Sequence, residues 1–354
     1  MRHRASLLSL VFFLSAVLLA PSPVNAQGNI DDLSDLRNAL QVISEGYADN
    51  YVQPVTNTFG AGMNAGLFRS ADVGNSLIPG SPINLYVGVS VSGTLTSSMK
   101  TSFEPFGGGT ETFTTDQGSF TVDYQPDPVN GDERVPTAFG ETTPPNGSLE
   151  ITNNQTNATE TVPAPQGLVD TPIAPLIIPQ IGVGSIAGTD LQVRYFPKTR
   201  LSARGGSYGT VGLFGIAVRH DIDQWFPAPL PIDLAVQGAW NQFSLENDVA
   251  GSGAEEVLDA SGWAFNLQAS KGVPVVPLIF YGGVQYESFN ADYNYSYNPG
   301  GSIPEQSLSV SQDAANSFRG LAGFSLTFTV VRFNVDYAIG NENNVLTTGL
   351  GVRL

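Results

Sequence analysis

Serine–histidine chemistry is the first possibility the residue types raise. Gly205-Gly206-Ser207-Tyr208-Gly209 has the spacing of a nucleophile elbow, and His220 followed by Asp221 offers a base with a carboxylate beside it. An elbow needs a strand before it and a helix after it, whereas this string opens an alternating segment at 207–220, so a glycine turn is expected instead. Ser207 and His220 then fall at opposite ends of one strand, too far apart to share a proton. Asp123, Asp127 and Asp132 lie in a polar stretch suited to calcium but lack the Asp-x-Asp-x-Asp-Gly spacing, and read as solvated loop acids. The chain has 0 cysteines and 2 histidines, which offers no cluster for zinc. The expectation is a protein that is not an enzyme and carries no metal or cofactor.

A second polar set is more regular. Arg194, Arg219, Asp233, Gln237, Asn266, Gln268, Gln285, Glu287, Arg332, Asn334, Asp336 and Arg353 alternate with apolar neighbours. Such alternation puts them together on one face of a sheet, here the candidate lumen of a barrel. Their mixed signs predict internal ion pairs and hydrogen bonds; an ion-selective pore would show one dominant sign.

The elements that position this set are strands. Period-two alternation dominates from residue 58 onward, for example Ile232, Leu234, Val236 and Trp240 against Asp233, Gln237 and Asn241. Alternation alone fits a soluble sandwich or a membrane barrel. Three features favour lipid. Many runs reach ten residues, the length a tilted strand needs to cross. Aromatics (Tyr195 and Phe196, Trp225 and Phe226, Phe289) sit toward strand ends, as interfacial girdles do. Counting back from Leu354, long loops fall at one end and short turns at the other. The predicted fold is an all-β transmembrane antiparallel barrel of about twelve strands (ten to fourteen), over residues 56–354. Its strands lie at 58–70, 82–97, 111–116, 119–125, 186–196, 207–220, 231–245, 261–271, 277–290, 317–329, 332–340 and 345–354, and a hairpin around Asn153 to Ala158 would make fourteen. A long polar insertion at about 126–180 falls on the periplasmic side in this count.

The N-terminus adds an address. Arg2 and Arg4, the apolar run Leu7–Leu19 and Val24-Asn25-Ala26 read as a signal peptide cleaved after Ala26, with export to the outer membrane. Losing Arg2 and Arg4 moves the net charge from −17 to −19, so nucleic acid is not an expected partner. Residues 27–55 form a separate element: Leu33, Leu36, Leu40, Ile43 and Tyr47 recur at helical spacing behind Asp31, Asp32 and Asp35, and Pro54 is expected to stop the helix. This amphipathic helix is expected to plug or cap the barrel.

The opening Gly46-Tyr47-Ala48, Tyr51, Pro54 and Phe59-Gly60, with Pro179-Gln180-Ile181-Gly182-Val183-Gly184-Ser185, Gly188-Thr189-Asp190-Leu191, Arg194-Tyr195-Phe196-Pro197 and His220-Asp221-Ile222, resembles an uncharacterised family of predicted outer-membrane proteins from Bacteroidota and their relatives. More distantly, the plug-like N-terminus and strand count resemble FadL-like transporters of hydrophobic compounds, although the Asn-Pro-Ala element of their hatch is absent. That resemblance implies passive or gated passage of small hydrophobic molecules. The rival readings are a non-conducting structural or surface-interaction barrel and a secreted soluble β-sandwich binding protein. The implied partners are outer-membrane lipid, the barrel-assembly machinery through the C-terminal strand, and a small hydrophobic ligand.

Overall fold

The computed structural model describes residues 47, 49–71, 83–95, 100–105, 110–115, 118–126, 131, 133–141, 147–163, 173–203, 206–247, 255–297 and 306–354. The expected signal peptide and the positions Leu33, Leu36, Leu40 and Ile43 of the expected helix lie outside these residues.

Helix α1 covers residues 49–63 and is followed by an irregular segment to Ala71. Then come β1 (Asn84–Leu95) and six short strands: β2 (Ser102–Phe103), β3 (Glu111–Thr115), β4 (Gly118–Gln125), β5 (Val135–Pro136), β6 (Ser148–Asn153) and β7 (Thr159–Pro163). The remaining strands are β8 (Ile173–Ile186), β9 (Thr189–Ala203), β10 (Gly206–Asp221), β11 (Asp233–Asn247), β12 (Glu255–Gly272), β13 (Leu278–Tyr297), β14 (Gln306–Asp313), β15 (Phe318–Phe328), β16 (Val331–Gly340) and β17 (Val345–Arg353).

Each barrel strand pairs antiparallel with its neighbours in the order β12-β11-β10-β9-β8-β1-β17-β16-β15-β13, and β12 pairs with β13 to close the ring at ten strands. The first and last strands meet in this ring, with Tyr86 opposite Arg353 and Thr94 opposite Val345. β14 stays outside it, pairing with the far half of β13 (Asn290 to Tyr297) beyond the stretch that β15 occupies. Closure leaves the ring itself without a free edge.

Ten strands replace the expected twelve. The segment 58–70 is helical to residue 63 and irregular beyond it; Phe59, Ala61, Met63, Ala65 and Leu67 at alternate positions read as one face of a strand. Inside a lumen a helix is buried on every side and needs no amphipathic stripe, so period two misleads there. The helix also runs through Pro54, which forfeits one backbone bond rather than ending it. The expected strands at 111–116 and 119–125 appear as β3 and β4, but they join β6 and β7 in a separate four-stranded sheet whose β6–β7 turn is the hairpin at Asn153 to Ala158. Finally, the expected strand 186–196 falls mostly in β9, and its partner β8 begins inside the expected polar insertion. Ala187 and Gly188 connect that pair with φ of 49° and 69°, the two left-handed positions of a tight hairpin turn.

These changes move the insertion to the other end. Residues 96–172 leave β1 and return to β8 at the end that also holds 248–254, 298–317 and 341–344. The opposite end has turns at 187–188, 222–232, 273–277 and 329–330. One end is loop-rich and the other turn-rich, as in outer-membrane barrels.

The plugged lumen as candidate functional site

Alternation along each strand separates two chemistries. Facing out are Val87, Ile181, Val218, Val236, Phe265, Leu267, Phe280, Val284 and Leu350, all exposed. Facing in are Arg194, Gln237, Gln268, Gln285, Glu287 and Asn334, all buried. The band is bounded above by aromatic rings in contact: Phe214 with Trp240 (6.3 Å), and Trp263 with Phe265 and Tyr286 (5.4 Å each). Beyond the rings the outer face turns polar, at Gln242, Ser261, Ser288 and Asn290. Trp225 and Phe226 are exposed in the turn at the other end. From Leu278 to Tyr286 the wall rises roughly 20 Å at about 3.3 Å per residue and a 40° tilt, close to the apolar height of an outer-membrane barrel. Phe289, expected in the girdle, instead faces inward beside Phe59, at 5.8 Å between ring centres. Phe196 is half-buried against the same interior cluster. Among the described residues no helix is long and apolar enough to cross a membrane.

The interior has two zones, and residues 49–71 run through both. In the loop-rich half, α1 packs Tyr51, Val52, Val55 and Met63 into an apolar cluster with Leu176, Ile178, Leu213, Phe243, Leu258 and Phe289 of the wall and Phe103, Val122 and Leu149 of the insertion. Tyr47 packs edge-on against Phe103 at 5.0 Å, and the Ala138 N–H donates to the Tyr51 carbonyl at 3.0 Å. The helix therefore enters from the loop-rich end. Thr56 Oγ1 donates to Gln312 Oε1 at 2.8 Å and lies 2.9 Å from the Tyr293 hydroxyl.

The wall also grips the segment by its main chain, from the loop-rich ends of β1 and β15 down to the turn-rich half. Thr94 and Ser92 of β1 donate to the carbonyls of Thr58 (3.1 Å) and Gly62 (3.2 Å). Arg319 of β15 donates to the Ala61 carbonyl at 3.0 Å, and its Nε to Glu287 Oε1 at 3.0 Å. Arg194 of β9 donates to the carbonyls of Met63 (2.7 Å) and Ala65, and to Asn241 Oδ1 at 3.3 Å. Gln285 of β13 donates to the Asn64 carbonyl at 3.0 Å. Arg219 of β10 donates to the Ser70 carbonyl and pairs with Asp190. The Ala71 N–H donates to Ser270 Oγ at 3.1 Å. Of the last carbonyls of α1, those of Gly60 and Gly62 accept from the N–H groups of Asn64 and Ala65, and those of Ala61 and Met63 meet cationic donors at the negative end of the helix dipole.

The remaining candidates line the same interior. Gln268 Nε2 donates to Gln237 Oε1 and Asn266 Oδ1, both at 2.6 Å, and Asn266 donates to Gln285 at 3.4 Å. Asp233 accepts from Ser270 Oγ at 3.0 Å, and Asp336 from the Tyr281 hydroxyl at 2.9 Å. Arg332 Nε donates to Thr327 at 3.4 Å, Asn334 is buried opposite Ser325, and Arg353 is half-buried opposite Tyr86. Sequence reasoning missed Arg319, Asp190, Gln192, Tyr281 and Arg69, whose guanidinium sits 4.0 Å over the Tyr86 ring. A lone arginine in an otherwise uncharged run marked Arg319 out. His220 and Ser207 lie at opposite ends of β10, and the His220 ring contacts Thr189 (2.8 Å), Gln224 (3.2 Å) and Trp225 instead.

The sequence matches a family of unknown function, DUF6588, over residues 1–354. The chain belongs to that family. No curated protein matches it. Among solved structures it is similar to Ail, the attachment invasion locus protein of Yersinia pestis, at 16% identity and TM-score 0.24, covering 47% of this chain and 94% of Ail. It is similar to the translocator domain of the autotransporter NalP from Neisseria meningitidis at 10% identity and TM-score 0.25, covering 94% of this chain and 99% of that one. It is also similar to the outer membrane protein OmpT of Vibrio cholerae at 9% identity and TM-score 0.26, covering 77% and 99%. Neither the family match nor these structures bears on the resemblance to FadL-like transporters.

Proposed function

We propose that this DUF6588 protein is an outer-membrane barrel, closed to ion flow by its own residues 49–71, whose task is the passage of small hydrophobic molecules. The carrying observation is the reversal of polarity across the wall, apolar outside and polar within, around a lumen already filled by a latched segment. A soluble protein rarely exposes so continuous an apolar band, whereas hydrocarbon matches it. The apolar loop-rich half of the interior suits greasy cargo better than ions. Under this reading the loop-rich end faces outward, and β17 addresses the chain to the barrel-assembly machinery.

The mixed charges inside favour no ion, and no catalytic role is assigned to His220 or Ser207. A non-conducting structural barrel is the second reading, favoured by how many wall strands hold the plug (β1, β9, β10, β12, β13 and β15). Purified, refolded protein tests both in proteoliposomes. Heat-modifiable gel mobility reports a membrane barrel. Full-length protein is expected to show no steady single-channel conductance, and protein lacking residues 27–71 a steady one. Uptake of a hydrophobic dye by the full-length form supports transport, and its absence from both forms leaves the structural reading.

A further inference from the structure

The charges inside the barrel do not balance. Among the described residues five arginines are buried, Arg69, Arg194, Arg219, Arg319 and Arg332, against three carboxylates, Asp190, Glu287 and Asp336. The half-buried Asp233 and Arg353 cancel, which leaves two positive charges in surplus. A buried charge is costly unless an opposite charge accompanies it.

The surplus sits in one place. Asp190 pairs with Arg219 and Glu287 with Arg319, while Arg332 and Asp336 face inward together from β16. Among the described residues neither Arg69 nor Arg194 has a carboxylate partner. Arg194 spends both terminal nitrogens on main-chain carbonyls and Asn241, none of which carries a net charge. Arg69 belongs to the irregular part of the plug and lies over the Tyr86 ring.

The strand register stacks these groups in three rows. β9 sends Asp190, Gln192 and Arg194 inward in succession. In the middle row Gln192 stands opposite Gly182 of β8, and Gly182 opposite Tyr86 of β1. Arg69 reaches this row, since a Cβ on Gly182 would lie 3.7 Å from its Nη2. Arg194 marks the next row toward the loop-rich end, and Arg219, opposite Asp190, the next toward the turns. Both are within electrostatic reach of Arg69.

Five polar atoms of this stack are buried without a hydrogen-bond partner. They are Arg69 Nη1, Arg194 Nε, Arg219 Nε, the Tyr86 hydroxyl and Gln192 Oε1. The three guanidinium nitrogens can only donate, and the amide oxygen can only accept. Hydrogen phosphate answers that set: its bare oxygens accept from guanidinium groups, and its one hydroxyl donates to Gln192. Its dianion, which surrounding cations favour, also cancels the surplus of two.

We propose that Arg69, Arg194, Arg219 and Gln192 form an internal site for inorganic phosphate, which ties the plug to β9 and β10. Arg69 comes from the plug and the other three from the wall, so the site exists only while residues 66–71 are docked. Phosphate therefore favours the closed barrel by linkage. The site depends on how the lumen is filled and not on what the barrel transports.

The test uses full-length protein refolded into detergent without phosphate, with heat-modifiable mobility reporting the barrel separately. Equilibrium dialysis against radiolabelled phosphate, at ionic strength held constant with chloride, is expected to give about one phosphate per chain. Amide protection of 66–71 should rise in proportion to 1 + [phosphate]/Kd, with β11–β13 unchanged. Sulfate has the same charge but no hydroxyl for Gln192, and is expected to bind at least tenfold more weakly. R69Q should abolish the phosphate-dependent protection, and R69K, which keeps the charge, should retain part of it. Asp72, the next carboxylate along the chain, lies outside the described residues, and D72N is expected to bind phosphate as the wild type does. No phosphate dependence in a folded wild-type barrel, the same dependence in R69Q, or binding that appears only in D72N overturns the site.

Discussion

Replacing Arg194 with alanine is expected to loosen the plug without opening the wall. The guanidinium is buried and donates to two main-chain carbonyls, Met63 and Ala65, as well as to Asn241. Hydrogen bonds to charged groups contribute about 1.5–3 kcal/mol each. Water can enter the space the side chain leaves, so the lower figure applies to each carbonyl, giving about 3 kcal/mol for the two. That is about a 150-fold rise in the population with residues 60–71 released. Hydrogen exchange in detergent reads this directly. Amides of 60–71 should lose about two orders of magnitude of protection, while those of β11, β12 and β13 should change little, because the wall's own ladders are intact. Arg194→Lys should recover part of the protection, since an ammonium supplies a point charge but not the planar fork. Protection within threefold of wild type at 60–71 refutes the latch, and equal loss across β11–β13 shows that Arg194 supports the barrel rather than the plug.

Two glycines in α1 should respond with opposite sign. A Cβ on Gly60 would sit 2.8 Å from the Ala314 Cβ and 2.9 Å from the Phe289 ring, so Gly60→Ala is expected to cost about 1–3 kcal/mol. At Gly62 the nearest atom is Ser92 Oγ at 3.4 Å, an ordinary contact, so Gly62→Ala should add up to about 1 kcal/mol through helix propensity; hydrogen exchange of α1 distinguishes the pair. On the outer wall, Val236→Arg should lower folding stability in vesicles by about 2–4 kcal/mol in urea titration, and Gln242→Arg, above the aromatic ring, should leave it near wild type. Removing Arg319 strands the buried Glu287 carboxylate, so Arg319→Ala should cost about 3–5 kcal/mol in the same titration. Tryptophan fluorescence should be quenched more by lipids brominated near the headgroup than by those brominated at the chain ends, because Trp225, Trp240 and Trp263 flank the apolar band rather than centring it.

Strands β1, β10 to β13 and β15 to β17 were legible because one face meets a different medium from the other, and period two records that difference residue by residue. Other elements carried no such record. Pro175 and Pro179 made β8 look like loop, since a ladder proline is the exception and the sequence does not show which edge is free. Strands β3 and β4 alternate as barrel strands do, and nothing in Glu111–Thr115 or Gly118–Gln125 says which sheet they join. The inward set from Arg194 to Arg353 could be picked out by alternation, yet its main partners could not. Arg194, Arg219, Arg319 and Gln285 bind backbone carbonyls of 61–70, and a carbonyl looks the same under every side chain.

The division of the interior follows from what each part of the plug can do for its own backbone. Within α1 most amides and carbonyls satisfy one another, so the helix can lie against the apolar Phe243, Phe289 and Leu258 and needs wall donors at single carbonyls, those of Thr58, Ala61 and Gly62. After residue 63 the chain is irregular, and every carbonyl buried without a partner would cost about as much as a lost hydrogen bond. That is the level at which the wall changes from phenylalanine and leucine to Arg194, Gln285 and, further on, Arg219 and Ser270. A helix extended into the lower half would leave those arginines without acceptors, and an irregular segment in the upper half would set most of its carbonyls against apolar side chains. The boundary between the two zones of the wall and the end of α1 are therefore one feature, which holds the segment at a single depth in the lumen.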